Sequence, residues 1–281
     1  MPKRFLFRLY GILGICGTVL IFGFWSLPSH DLETTFLDVG QGDAILIRTP
    51  QQQKILIDAG QPGQILPPLA EELSFWERKI QLAILTHPDT DHIAGFLEIL
   101  KRYEVENILL TGVQHETQWY DEILKEIARQ QIPVLIADAE QDFKFGEVFF
   151  DIFWPDENLL GASLTDANAG SIALKMTFGK TTAILTGDLD LESEEKILKN
   201  APNLTAQVLK ISHHGSRTAS SAKFLAAVNP DFAIISAGEG NSFGHPHEEV
   251  LARLENSKIL ETAKIGSIKL VSDGEKWRTE N

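Results

Sequence analysis

Residues 85–95 read LTHPDTDHIAG, and His87, Asp89, Asp91 and His92 within them are four potential metal ligands in six positions. Ahead of them QLAILT, at 81–86, is the kind of continuous apolar run found in a strand buried on both faces. Behind them IAGFLEILKRY, at 93–103, spaces its apolar residues as a helix does. A loop between strand and helix can aim alternate side chains into one pocket, so His87 and Asp89 can serve one ion while Asp91 and His92 serve its neighbour. Helix capping is the plainer explanation of Asp89 or Asp91. It accounts for one carboxylate and leaves two imidazoles and a second carboxylate without a purpose.

Strands that end in polar loops recur on either side of this stretch. TTFLDV, AILIRTP and KILIDAG read as short strands, with turns at Gly40-Gln41-Gly42-Asp43 and at Gln51 to Gln53. After the ligand stretch come NILL, a helix around TQWYDEILKEIARQ, PVLIA and the pair FKFGEVFFDIFW. The second half repeats the style with SIALKMTFG, KTTAILTGD, ESEEKILKN, QVLKIS, SAKFLAAV, FAIISAG, PHEEVLARL and a terminal hairpin around IKLVSDGEKW. Two sets of strands, each followed by helices, predict an α/β chain arranged as a four-layer αββα sandwich. Three later strand ends carry further candidates: Asp188 in TGD, His213 and His214 in SHHGS, and His245 and His247 in FGHPH. A carboxylate at a strand end can bridge two cations, and an imidazole opposite can fill a remaining position. Six of the eight histidines lie in such loops, the clustering that an active-site rim needs. Gly40, Gly42 and Gly187 are assigned to backbone turns.

The composition of the 281 residues, 43% hydrophobic, is that of an ordinary globular protein, and the single cysteine, Cys16, excludes an intramolecular disulfide. Residues 9–27, LYGILGICGTVLIFGFWSL, carry no charge and are long enough to span a hydrocarbon core of roughly 30 Å. Lys3, Arg4 and Arg8 precede them, which by the positive-inside rule puts everything after Pro28 on the outer side, with Trp25 at the outer interface. A cleaved signal peptide is the rival reading, in which case the protein is secreted. The run is longer than a signal core and SLPSH offers no clean small-x-small cleavage site. The expectation is therefore a single-pass anchor in residues 1–30 and an extracytoplasmic domain in 31–281, with Cys16 an apolar filler in the membrane. Those 251 residues carry 22 basic against 39 acidic side chains, a net −17 that repels a polyanion unless cations or a local basic patch intervene.

Taken in order, FLDVGQGDAILI, ILIDAG, LTHPDTDHIAG, AGSIALKMTFGKTTAILTGDLD, LKISHHGSRTAS and SFGHPHEEVL resemble the metallo-β-lactamase-fold hydrolases. Within that superfamily the series resembles the domain at the end of DNA-internalisation competence proteins of the ComEC type, from about Thr34 to Trp277. The resemblance implies a metallo-β-lactamase sandwich, here preceded by one N-terminal transmembrane helix, with two divalent metal ions, Zn or Mn. Carried over, His87 and Asp89 belong to the first metal, Asp91, His92 and His214 to the second, and Asp188 bridges them. Asp89 stands where the superfamily motif HxHxDH has its second His, a departure that the competence-type branch shares. The His that many relatives place shortly before the bridging Asp is absent, and Asn168 or Ser171 occupies its region. Asp58 and Asn168 are assigned supporting places behind the ligands. Asp91, His213 and His245 are the catalytic candidates, and His213, Lys210 and His247 the substrate-binding ones. His213 and His214 are interchangeable on this reading, as are His245 and His247, and Lys210 also admits an ordinary structural role in its strand.

The resemblance implies water activated by two cations and attacking phosphorus, hence a phosphodiesterase or nuclease acting on DNA in a competence-related role outside the cytoplasmic membrane. No long basic stripe with interleaved aromatics supports DNA independently. The alternatives are a hydrolase of a small phosphodiester or other ester at the cell surface, and a catalytically silent metal-binding partner of a separate DNA-uptake channel protein. Competence proteins of this type carry the domain beside a multi-helix channel and a small oligonucleotide-binding-like domain. Neither pattern occurs in these residues, so the chain is not expected to be the channel itself.

Overall fold

The computed structural model describes residues 30–139, 142–200 and 203–280. The apolar run at 9–27 lies outside them, and among the described residues no helix is long and apolar enough to cross a membrane. From Asp31 on, the described chain is one compact unit.

The first half supplies β1 (Leu32–Phe36), β2 (Ile45–Arg48), β3 (Lys54–Ile57), β4 (Lys79–Ile80), β5 (Leu82–Leu85), β6 (Glu104–Val105), β7 (Ile108–Leu110) and β8 (Val134–Ile136). The second supplies β9 (Phe143–Phe145), β10 (Val148–Trp154), β11 (Ala173–Phe178), β12 (Thr181–Leu185), β13 (Val208–Lys210), β14 (Phe232–Ile235) and β15 (Lys258–Glu261), and the chain closes with β16 (Ile268–Ser272) and β17 (Trp277–Glu280). One sheet has the order β17-β16-β1-β2-β3-β5-β7-β8, the other β15-β14-β13-β12-β11-β10-β9, and β4 pairs with β6. The terminal hairpin thus returns to the first sheet, where Leu32 of β1 lies opposite Ser272 of β16.

The helices are α1 (Leu66–Glu72), α2 (Thr90–Ile93), α3 (Phe96–Arg102), α4 (Gln118–Gln130), α5 (Leu191–Asn200), α6 (Ala222–Val228), α7 (Glu248–Arg253) and α8 (Thr262–Ile265). The strand period of two separates the layers. Ile55, Ile57, Leu82 and Ile84 point inward to meet Leu174, Met176, Ala183 and Val208 of the other sheet. Their neighbours Leu56, Ala83 and Leu85 point outward and pack on Phe96, Ile99 and Ile123 of the first helical layer. Ile184, Leu209 and Ala233 do the same against Ile197, Phe224 and Val250. Four layers, αββα, follow, and the unbroken apolar character of residues 82–85 is explained by burial on both faces.

Two elements differ from the sequence expectation. The helix predicted over 93–103 is two helices, because the Gly95 amide donates to the Gly60 carbonyl (3.0 Å) instead of continuing the helical ladder. The polar, proline-containing segment after Gly60 forms α1, with proline in its first turn, where a missing N–H costs nothing.

Strand direction fixes where the chemistry lies. β3, β5, β7 and β8 run parallel, as do β12 to β15. The candidate ligands follow the carboxyl ends of β5, β12 and β13 and meet there, with Asp58 after β3 and His245 and His247 after β14. The pairs Glu33↔Arg48 and Arg48↔Lys54 put the start of β1 at the opposite end of the sheet.

Candidate metal centre

Three imidazoles are the fixed points of the site. His87, His92 and His214 are all almost completely buried, and each has one ring nitrogen engaged. His87 Nδ1 lies 3.1 Å from Thr86 Oγ1, His92 Nδ1 lies 2.8 Å from Asp58 Oδ2, and His214 Nδ1 lies 2.8 Å from the Ser236 carbonyl. The bonds to Asp58 and Ser236 hold a proton on Nδ1 and turn Nε2 toward the centre. The Nε2 atoms of all three are buried and lack hydrogen-bond partners among the described residues, as does Asp188 Oδ1. Orphaned buried nitrogens of this kind are costly unless something else satisfies them.

They converge on Asp188. Its Oδ2 lies 3.3 Å from His92 Nε2, 3.2 Å from His214 Nε2 and 3.9 Å from His213 Nε2. His214 Nε2 also lies 3.5 Å from Asp91 Oδ2, and His87 Nε2 lies 3.6 Å from Asp89 Oδ2. Ligand bonds of about 2.1 Å at tetrahedral angles put neighbouring donors about 3.4 Å apart, so these separations suit shared cations. His87, His92 and Asp188 form one potential metal-binding group, and Asp91, His92 and His214 another. The mixture of imidazole nitrogens and carboxylate oxygens fits divalent Zn or Mn alike.

The electrostatics reflect the crowding. Burial works against the His214 imidazolium, but Asp188, Asp91 and Asp43 outweigh it and raise its pKa to about 9. His92 behaves likewise: burial lowers its pKa, Asp188 and Asp58 raise it, and the outcome is well above the ordinary value. Burial would raise Asp188, yet His214 and His92 hold it well below the usual carboxylate range. At the rim, burial pushes His213 down, and burial together with His214 and His213 pushes His245 down to about 4, so both rings are neutral at neutral pH.

The backbone here is as specialised as the side chains. Asp58, His213 and His214 all have left-handed φ angles of 49–56°, conformations that cost of order 1–3 kcal/mol each outside glycine and collect at functional sites. Gly42 answers to a close approach: a Cβ there would lie 2.0 Å from the Asp91 carbonyl oxygen. The next amide, Asp43 N, donates to that same oxygen (3.2 Å), so the GQGD loop and the ligand loop meet backbone to backbone.

All six residues read as ligands from sequence stand at this centre, with the side chains of Asp89 and Asp91 the more exposed. Asp89 occupies the position before α2 but makes no side-chain cap bond, so capping does not explain it. Asp58 accepts from Thr86 N (2.9 Å), from Thr86 Oγ1 (2.6 Å) and from His92, which ties the end of β3 to the ligand loop. His213 and His245 stand at the rim with ring centroids 5.7 Å apart, and His247 lies 5.0 Å from His245. His247 Nδ1 accepts from Arg217 N (3.3 Å), which holds its ring beside the exposed Arg217.

Two assignments change. Lys210 does not face substrate: it is fully buried, its Nζ is 2.7 Å from Asp43 Oδ2 and it donates to the Ile211 carbonyl (2.9 Å). A strand-end lysine faces inward here because a buried carboxylate waits opposite. Asn168 makes no hydrogen bond to the ligands among the described residues; its backbone N–H donates to Asp166 Oδ1 and its side-chain Oδ1 is buried without a partner among them. Ser171 is the residue that touches the centre, its Oγ accepting from Asp188 N (3.2 Å).

Asp43 and His115 escaped the sequence reading. Asp43 is buried with its Oδ1 3.6 Å from His214 Nδ1, and His115 brings Nε2 to 3.8 Å from Asp89 Oδ1. An acid immediately before the wholly apolar AILI was the available signal for Asp43. A lone His in a loop gave none for His115.

Fold and donor set together define a class, and the chain belongs to the metallo-beta-lactamase superfamily, whose profile matches residues 37–239. Within that superfamily it is related to the ComEC-type competence proteins. It is 31% identical to ComE operon protein 3 of Bacillus subtilis (95% of this chain, 37% of that protein) and 32% identical to competence protein ComA of Neisseria gonorrhoeae (86% and 33%). Recombination protein 2 of Haemophilus influenzae is 30% identical (93% and 31%). The chain thus spans about a third of the length of these relatives. Among solved structures, the metallo-beta-lactamase fold protein YhfI from Bacillus subtilis matches at TM-score 0.55 and 12% identity, over 85% of this chain and 99% of that one. Tm1679, a metal-dependent hydrolase of the beta-lactamase superfamily, matches at 0.54 and 14%, over 87% and 100%. At such identities these two share the fold alone.

Proposed function

We propose that the chain is a dinuclear metal-dependent phosphodiesterase that cuts DNA in a competence-related role outside the cytoplasmic membrane, held there by residues 1–30 and working beside a separate channel protein. One observation carries the reading: the Asp188 carboxylate stands between unpartnered Nε2 atoms of His92 and His214. Zn or Mn held by His87, Asp89, Asp91, His92, Asp188 and His214 supplies Lewis-acid activation of water and neutralises charge on phosphate oxygens.

The protein's own groups do the rest. Asp58 and the Ser236 carbonyl hold His92 and His214 in the tautomer that presents Nε2. His213, neutral at the rim and 3.9 Å from Asp188, is placed to donate a hydrogen bond to a phosphate oxygen. His245 lines the same side. Lys210 is committed to Asp43, and exposed Arg217, whose backbone amide donates to His247, offers a cation on this side. A net −17 over residues 31–281 disfavours long duplex tracks, so the reading favours a short single strand admitted at the metals. The names of the relatives, which speak of competence and recombination, support DNA over other diesters.

The test is turnover by the purified full chain with Mn²⁺ or Zn²⁺ on labelled single- and double-stranded DNA, beside bis(p-nitrophenyl) phosphate. Metal-dependent DNA cleavage is expected, with a loss of at least about a hundredfold in Asp188→Asn and an unchanged circular dichroism spectrum. Cleavage of the small diester alone moves the substrate to another class, and full activity in Asp188→Asn overturns the dinuclear reading.

A further inference from the structure

Phe243 stands at the mouth of the site with 62% of its surface exposed. Its ring stacks on His245 with centroids 5.6 Å apart and planes 22° from parallel. His245 in turn lies 6.3 Å from the ligand His214 and 5.7 Å from His213. A short train of rings therefore leads from the metal ligands to an aromatic face open to solvent.

The loop that carries Phe243 is wound around one amide. Asn241 Oδ1 accepts from Phe243 N (3.2 Å) and His245 N (3.0 Å), while its Nδ2 donates to the carbonyls of Gly238 (2.9 Å) and His245 (2.6 Å). Gly238 N donates to Gln41 Oε1 (3.3 Å), which ties the loop to the GQGD turn. An exposed aromatic ring held this firmly is preorganised for contact with a partner. The exposed pair Phe75 and Trp76, by contrast, lies at the far end of the sheet, where Glu77 meets Arg48.

We infer that Phe243 is a platform on which a base of the substrate strand stacks while its neighbouring phosphate lies at the metal centre. The inference rests on the phosphodiesterase reading above and adds the part of the substrate recognised. One covered face and one open face suit a flat heterocycle, and base–aromatic stacking is indifferent to sequence. A quaternary ammonium group calls for a cage of several rings, whereas Phe243 has ring contact with His245 alone among the described residues. Arg217, exposed beside His247, offers a cation to the same strand.

The experiment compares cleavage of an oligothymidylate with that of a strand of equal length built from tetrahydrofuran abasic units, using the full chain. Wild type is expected to prefer the base-bearing strand in kcat/KM. Phe243→Ala is expected to shrink that preference on the order of tenfold, and Phe243→Trp to keep it. A strand carrying 2-aminopurine gives a reading independent of turnover, its fluorescence quenched on binding wild type and Phe243→Trp but not Phe243→Ala. An undiminished preference and undiminished quenching in Phe243→Ala overturn the platform while leaving the phosphodiesterase reading intact. Metal-dependent cleavage of neither strand by wild type overturns that reading, and the platform with it.

Discussion

Lys210 and Asp43 form the least expected pair in the site. Neither is exposed to water, and a buried charge that loses its partner costs about 3–5 kcal/mol. Lys210→Met should destabilise the fold by about that amount in chemical denaturation, and adding Asp43→Asn should restore part of it; a single variant within about 1 kcal/mol of wild type would remove the pair from the account of stability. Asp58→Asn acts differently, since it weakens the grip on His92 Nδ1 while leaving the ligand set whole. Metal affinity measured by chelator competition should fall by roughly ten- to a hundredfold. The ligands themselves were readable because chemistry demands recognisable side chains close together, as at residues 87–92. Asp43 was not, since an acid flanked by glycine looks like any turn and its cation lies on a strand of the other sheet. For the same reason Lys210 looked like a free strand-end cation until the fold turned it inward.

Long-range contacts between short elements fix one end of the first sheet. Arg48 at the end of β2 and Lys54 at the start of β3 both reach Glu77 Oε1, at 2.6 and 3.1 Å. Burial alone would raise the Glu77 pKa, but bonds from Arg48, the Ser74 amide and Lys54 outweigh it and lower it from 4.5 to about 2. The carboxylate binds a proton less readily in the folded chain than in the unfolded one. Its contribution is therefore complete above about pH 4.5 and is lost as pH falls through about 2. In denaturant titrations across that window Glu77→Gln should lose less stability than wild type; equal losses would mean that the network does not couple to pH. Strand positions here followed from short apolar runs bounded by turn residues, and α4 from the run TQWYDEILKEIARQ, whose Thr117 proves to cap it by accepting from the Tyr120 amide. α1 was hidden because its prolines read as loop, and the break between α2 and α3 because it depends on the carbonyl of a distant glycine.

The four layers were foreseeable from strands apolar on both faces, since only a sheet covered twice can bury them. What joins the two halves at their carboxyl ends is the metal centre, whose donors come from both sheets. Binding there adds stability that the unfolded chain cannot match: at a hundredfold excess over Kd, about 2.7 kcal/mol. In a domain of this size that corresponds to a rise of about 5–10 °C in melting temperature on adding Mn²⁺ or Zn²⁺. EDTA should reverse it and Asp188→Asn should abolish it; an equal shift in that variant would place the ions elsewhere. The polarity of the first sheet carries a lesson about access. The chain comes into β1 at one end, and the chemistry sits past the opposite end of β3 and β5, a strand's length of roughly 15 Å away. The candidate ligands therefore lie at the end of the sheet remote from Leu32, where β1 begins.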